Sequence, residues 1–204
     1  MKLGELTFGT NIKIPERQED DSYKLADYTL GCLNNFDVGT AGLIRKDIHS
    51  LCRFGDSAEY AGSDLDKRMA EIYDSYPDEF KELIIPSTIP LYNGSGAENI
   101  TRKVFAPTLT MVGCGDNHGT EEGLTWPIFT GRNSREKTFN GLAARWRLSS
   151  RYSSDRAQYV NTAGSAFNYY PAVPAFVIPQ SAQIDDKPDN DGSYRLTVLE
   201  SYCS

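Results

Sequence analysis

The chain has 204 residues, 39 % of them hydrophobic and 24 % charged, which suits one well-buried core and excludes a disordered polymer. Its net charge of −7 argues against a nucleic-acid binder, which needs a basic footprint. No apolar run reaches the roughly 18–20 residues of a membrane span, and the start Met1-Lys2-Leu3-Gly4-Glu5 carries no signal-peptide core, so folding in a cytoplasm is expected.

Residues 1–14 read as the start of a strand pair, with Leu3, Leu6, Phe8, Ile12 and Ile14 punctuated by Gly4 and Gly9. Pro15 to Asp21 is a charged loop, and residues 23–28 resume an extended pattern. A loop over 31–39 then feeds a predicted helix over 40–54, with Thr40 as N-cap and Gly55 as its stop. Leu43, Ile44, Ile48 and Leu51 fall on one face of that helix. A second helix starts at Ser63, where Ser63-Asp64-Leu65-Asp66 resembles a capping box. Its buried stripe is Leu65, Met69, Ile72, Tyr73 and Tyr76, and Pro77 ends it. Residues 78–85 add a further helical turn or two.

The second half is rich in turns. Asn93-Gly94-Ser95-Gly96 is a turn signal, and residues 113–123 and 131–140 are long polar loops. Residues 1–180 are expected to form a single domain, and 181–204 a polar C-terminal extension. In that extension Asp191-Gly192 makes a tight turn before an edge strand over 194–199. The stretch Leu142 to Pro179 organises the rest. Its two ends read as buried strands, and its middle mixes Tyr with Ser and Asn, a combination that gives large contact area at low entropic cost.

Within that stretch, Trp146-x-Leu148-Ser149-Ser150, Tyr159-Val160-Asn161-Thr162-x-Gly164-Ser165 and Val173-Pro174-Ala175-Phe176 resemble a domain of unknown function common in gut bacteria and their phages. Tyr60-Ala61-Gly62-Ser63-Asp64-Leu65 resembles that family's helix entry, and Val104 to Pro107 its mid-chain strand, so the likeness spans about residues 40–180. Val173 stands where the family usually has Arg, and Arg145 where it often has a first Trp. The resemblance implies an α+β, C-type-lectin-like fold, with two helices packed on short, twisted, mostly antiparallel sheet and long loops. It implies kinship with formylglycine-generating-enzyme-type domains and with the variable proteins of diversity-generating retroelements.

Chemical motifs are sparse. Gly113-Cys114-Gly115-Asp116-Asn117-His118-Gly119 meets neither the dinucleotide nor the P-loop pattern. Residues 185–192 fail the calcium-loop spacing, because Lys187 and Val198 fall where carboxylates belong. The Glu-Pro-Asn, Gln-Pro-Asp and Trp-Asn-Asp motifs of sugar-binding lectins are missing. Cys32, Cys52, Cys114 and Cys203 show no zinc spacing and read as free thiols, and no cofactor or metal is expected. A Cys114–His118 nucleophile pair is the one catalytic arrangement that the spacing offers. Arg132, Arg135, Arg145, Arg147, Arg151 and Arg156 form a basic stretch in an acidic chain. Either they neutralise nearby carboxylates or they meet an anionic surface such as a phosphorylated wall polymer.

Together these readings point to a non-enzymatic phage virion surface protein, either a head decoration or fibre subunit or a host-adhesion subunit, assembled in the host cytoplasm. Tyr152, Ser154, Asp155, Arg156, Asn168, Tyr169 and Tyr170 would form its ligand-binding surface. Its partners would be other virion proteins or a host-surface glycan or protein, in an oligomer or symmetric assembly. The alternatives are a cellular or retroelement-diversified adhesin and an enzyme of the formylglycine-generating type.

Overall fold

In a computed structural model, which describes residues 1–160, the backbone of 162–165, and 168–202, the centre is a six-stranded sheet. Asn161 and Cys203, both singled out in the sequence, lie outside the described residues. β1 (Asn11–Arg17) and β2 (Tyr23–Leu33) form an antiparallel pair in which Ile12, Ile14, Tyr28 and Leu30 are buried. β3 (Thr40–Arg45) pairs with β2, and the register between them shifts at Gly31. That irregularity has a packing cause. A Cβ at Gly31, or at Gly42 on β3, would run into the Trp126 ring, so glycine lets the indole lie directly on the sheet.

The helix expected over 40–54 does not form. Its residues make β3 and a separate short strand, β4 (Ser50–Arg53), joined by a turn. β3 is central and covered on both faces, so it reads as one continuous apolar run without alternation. Over a few residues such a run is indistinguishable from a helix face. The expected loop over 31–39 likewise gives its first residues to β2.

The two helices come next. α1 (Asp64–Asp74) starts where the sequence indicates: Ser63 is its N-cap and accepts a bond from the Asp66 N–H at 3.0 Å. Leu65, Met69 and Ile72 face the core. α2 (Asp78–Leu83) follows Pro77 and buries Phe80. Tyr76 and Phe80 meet Phe176 of the central sheet edge-on, with ring centroids 5.7 and 5.2 Å away. Under these rings lies a buried polar cluster. Arg45 grips Glu16 with two bonds of 2.9 and 3.1 Å, Tyr28 donates to Glu16 at 2.7 Å, and the Tyr28 and Tyr76 hydroxyls lie 2.6 Å apart. Burial pushes both phenols well above their usual range, so they remain neutral donors.

The remaining strands are short. β5 (Ser87–Tyr92) and β6 (Ala97–Arg102) form a hairpin, tied to α1 by a bidentate Arg102–Asp66 pair with both bonds at 2.7 Å. β7 (Val104–Phe105) ends one side of the central sheet. β8 (Lys137–Phe139) pairs with β9 (Leu142–Ala144). β10 (Arg147–Arg151), β11 (Arg156–Tyr159) and β12 (Thr162–Ser165) form a three-stranded sheet. β13 (Tyr169–Ala172) pairs with β4, and β14 (Ala175–Pro179) enters the central sheet between β3 and β7. The strand expected over 194–199 shrinks to β15 (Tyr194–Arg195). It runs parallel to β1 at the sheet edge and is followed by a 3-10 helix over Thr197–Tyr202. The fold is α+β, and every other pair in the central sheet is antiparallel. No described helix is long and apolar enough to cross a membrane.

Trp146 is fully buried and its indole N–H donates to the Arg135 carbonyl at 2.9 Å. Trp146→Ala should therefore cost roughly 3–5 kcal/mol, read from chemical denaturation. A loss under about 1 kcal/mol would show that the site collapses around the missing ring.

Candidate functional site

The β5–β6 hairpin, the loop over 58–61 and strand β10 enclose a cavity of about 100 Å³. Each wall has a local cause. The hairpin turn is held by the Asn93 side chain, whose Oδ1 accepts from the N–H groups of Ser95 at 3.0 Å and Gly96 at 3.1 Å. Gly94 adopts φ +104°, and a Cβ there would press on the Arg151 guanidinium at 3.1 Å, so glycine lets that group lie across the turn. Arg151 then donates to the Asn93 carbonyl at 2.6 Å and faces Glu59 at 3.8 Å. The 58–61 loop is anchored by Ala58 N–H donating to the Ser154 carbonyl at 3.1 Å, and by the buried Tyr60 hydroxyl, which accepts from Ala106 N–H at 3.1 Å.

Strand β10 supplies the floor. Its register against β11 shifts between Arg147 and Arg151, and this bulged stretch bonds to residues 107–109 instead. Ser149 and Arg151 line the cavity, while Ser150 turns the other way. Ser149 is 1 % exposed, and its hydroxyl has no hydrogen-bond partner. A buried hydroxyl without a partner costs on the order of 1–3 kcal/mol. One that lines a cavity is a ready contact for a polar ligand atom or a water.

Beneath the site, Glu122 is fully buried and joins three segments. Its Oε1 accepts from Tyr92 N–H at 2.8 Å and from the Asn117 amide at 3.0 Å, and its Oε2 accepts from the Ser150 hydroxyl. The Asn117 amide also reaches the Arg151 carbonyl at 2.7 Å. Burial raises the Glu122 carboxyl above its usual range, and the three bonds pull against that rise.

Beside the cavity mouth is an aromatic ledge. The His118 ring lies 4.9 Å from Tyr92 and 5.7 Å from Tyr152, and its Nε2 is 2.9 Å from the Tyr152 carbonyl oxygen. The Arg156 guanidinium covers Tyr152 at 5.3 Å from the ring centroid. Tyr152, Ser154, Asp155 and Arg156 are all exposed on the bend between β10 and β11. That bend is closed by Tyr152 and Ser153 N–H groups donating to the Arg156 carbonyl, at 2.8 and 3.0 Å.

The other expected contact residues lie elsewhere. Asn168 is exposed, and its carbonyl accepts from Arg147 at 3.3 Å. Tyr169 is 68 % exposed and overhangs a shallow cleft with Leu51, Arg53 and Lys67. Tyr170 is half-buried: it stacks on Tyr159 at 4.8 Å and lies under the buried Arg147 guanidinium at 4.4 Å. The seven expected residues thus form one group on the β10–β11 bend and another beside β4. Cys32 and Cys52 are buried free thiols, Cys114 is half-buried, and His118 bonds to Tyr152 rather than to Cys114. Among the described residues no group of three or more His, Cys, Asp or Glu side chains gathers as metal ligands.

Residues 39–180 match DUF6273, a domain of unknown function. The chain belongs to this family. The matched span contains the cavity, its ledge and Glu122. No curated protein and no solved structure matches the chain.

Glu122→Ala strands Tyr92 N–H, one N–H of the Asn117 amide and the Ser150 hydroxyl proton, and should cost about 3 kcal/mol or more. The raised carboxyl also sets a pH dependence. A group that holds its proton more tightly when folded contributes stability present below the unfolded carboxylate range, and that stability is lost as pH rises through the folded value. Glu122→Gln stays neutral at every pH. Its thermal midpoint should therefore fall less than that of the wild type as pH rises above roughly 4. Parallel curves for the two proteins would refute the assignment.

Proposed function

We propose that the protein is a non-enzymatic recognition module of a phage particle surface, on a C-type-lectin-like scaffold, and that its binding site is the β5–β6/β10 cavity with the adjoining ledge. The observation that carries this reading is the unpartnered Ser149 hydroxyl lining a cavity beside the exposed Tyr152 ring. A polar contact held inside and a rigid aromatic surface held outside are the two things a selective pocket combines. Glu59 and Glu98 supply acceptors at the lining, and Arg151 a donor. The ligand class that this reading favours is a polar surface molecule of a host cell or of a neighbouring virion subunit. Tyr169 beside β4 adds a second, shallower contact region. Display on a particle is supported by the sequence resemblance to phage and gut-bacterial domains. A cellular or retroelement-diversified adhesin would use the same surface.

Ala61 is exposed on the cavity rim, so Ala61→Trp closes the mouth without touching the core. Fluorescently labelled protein should stain its target cells. Both Ala61→Trp and Tyr152→Ala should lose that staining at least tenfold, with thermal midpoints unchanged. Unaltered staining by both variants would sink the site. Mass spectrometry of purified particles separates the contexts: stoichiometric presence is the expected result, and absence would remove the virion reading in favour of the adhesin.

A further inference from the structure

A second surface stands apart from the cavity. The 3-10 turn over Asn133–Arg135 and strand β9 border a groove of about 370 Å³, lined by Arg132, Arg135, Glu136, Ala143, Ala144 and Arg145. Several arginines elsewhere in the chain face carboxylates: Arg45 pairs with Glu16, Arg102 with Asp66, Arg151 with Glu59 and Arg195 with Asp189. The basic stretch does not follow that pattern at this groove. Among the described residues neither Arg132 nor Arg145 makes an ion pair, although the chain carries a net charge of −7. Glu136 shares the groove and pairs with none of its arginines.

The groove walls are built, not incidental. Arg135 is tied down by Nε donating to the Val112 carbonyl at 2.6 Å and Nη2 to the Gly113 carbonyl at 2.5 Å. Gly131 and Ser134 close the turn that presents Arg132, with Ser134 Oγ donating to the Gly131 carbonyl at 2.7 Å. The Arg145 guanidinium rests over the Tyr159 ring at 5.9 Å. The β8–β9 hairpin is clamped to the turn after β3: Thr138 Oγ1 donates to Asp47 at 2.6 Å, and buried Lys137 donates to the Lys46 carbonyl at 3.0 Å. Arg145, resting on the Tyr159 ring, loses less entropy on binding than a free side chain would.

We infer that this groove binds an anionic glycan, with Arg132 and Arg145 meeting its negative groups and Glu136 accepting from its hydroxyls. Three guanidiniums outnumber one carboxylate in the groove, which favours a negatively charged ligand. The same carboxylate and the acidic chain as a whole disfavour a densely charged phosphodiester backbone. Among the described residues no aromatic ring lines the groove, which disfavours bases that need a stacking platform. A chain of hydroxyls with spaced charges satisfies all three conditions. The negative group is a carboxylate, a sulfate or a phosphate.

Isothermal titration with hexasaccharides bearing carboxylates, sulfates or phosphates, against a neutral hexasaccharide and a single-stranded DNA of equal charge, tests this directly. The expected result is binding of at least one charged hexasaccharide that weakens with salt, with the neutral one inert and the DNA weaker. Which charged arm binds best identifies the anionic group. The double variant Arg132→Ala/Arg145→Ala should weaken that binding at least tenfold. Arg17→Ala, an exposed arginine elsewhere, should leave it unchanged. Failure of every charged hexasaccharide, tighter binding of the DNA, or equal loss in the Arg17 control would overturn the inference. Ala61→Trp should not alter glycan binding here, so the groove and the cavity stand or fall separately.

Discussion

The cavity exists because one buried carboxylate holds three pieces of chain in place. Glu122 comes from a long polar loop, and through Tyr92, Asn117 and Ser150 it sets the end of β5, its own loop and the bulged middle of β10 against one another. A buried carboxyl is expensive unless it is hydrogen-bonded, and here both its oxygens are. The bonds that satisfy Glu122 also decide which way β10 alternates. With Ser150 turned toward the carboxylate, Ser149 and Arg151 line the cavity. The site is therefore a by-product of satisfying an interior carboxyl.

A second buried carboxyl, Glu16, does different work. Gripped by Arg45 and bonded by the Tyr28 hydroxyl, which Tyr76 bonds in turn, Glu16 lies where β1, β2 and β3 meet the end of α1. It contributes orientation more than net stability, because desolvating two charges offsets much of their attraction. The aromatic packing of Tyr76, Phe80 and Phe176 supplies the apolar burial around it. The two buried carboxyls divide the molecule: Glu16 ties the sheet to the helix, and Glu122 ties the loops around the cavity.

What was legible in the sequence follows from how local each signal is. α1 announces itself through Ser63 and the spacing of Leu65, Met69 and Ile72, all within one segment. β3 reads as a helix face because a strand covered on both faces loses the alternation that identifies strands, and the Trp126 ring that lies over Gly42 comes from a distant segment. Tyr152 and its neighbours stood out by composition, and Ser149 and Ser150 through the motif Trp146-x-Leu148-Ser149-Ser150. Their partners did not. Asn117, His118 and Glu122 reach residues 150–152 from 28 or more positions away, Tyr92 joins them through Glu122, and no pattern within the chain pairs them. Tyr170 shows the opposite limit: its composition matched a display surface, yet stacking on Tyr159 makes it half interior.

The strands that bear the cavity belong to sheets separate from the six-stranded one. A substitution on the β10–β11 bend or the β5–β6 turn changes neither the hydrogen-bond ladder nor the register of the central sheet. On the proposed reading, binding specificity on such a plan drifts through successive generations while folding stays under its own, independent selection. Retargeting then takes a few exposed side chains and leaves the inherited core untouched.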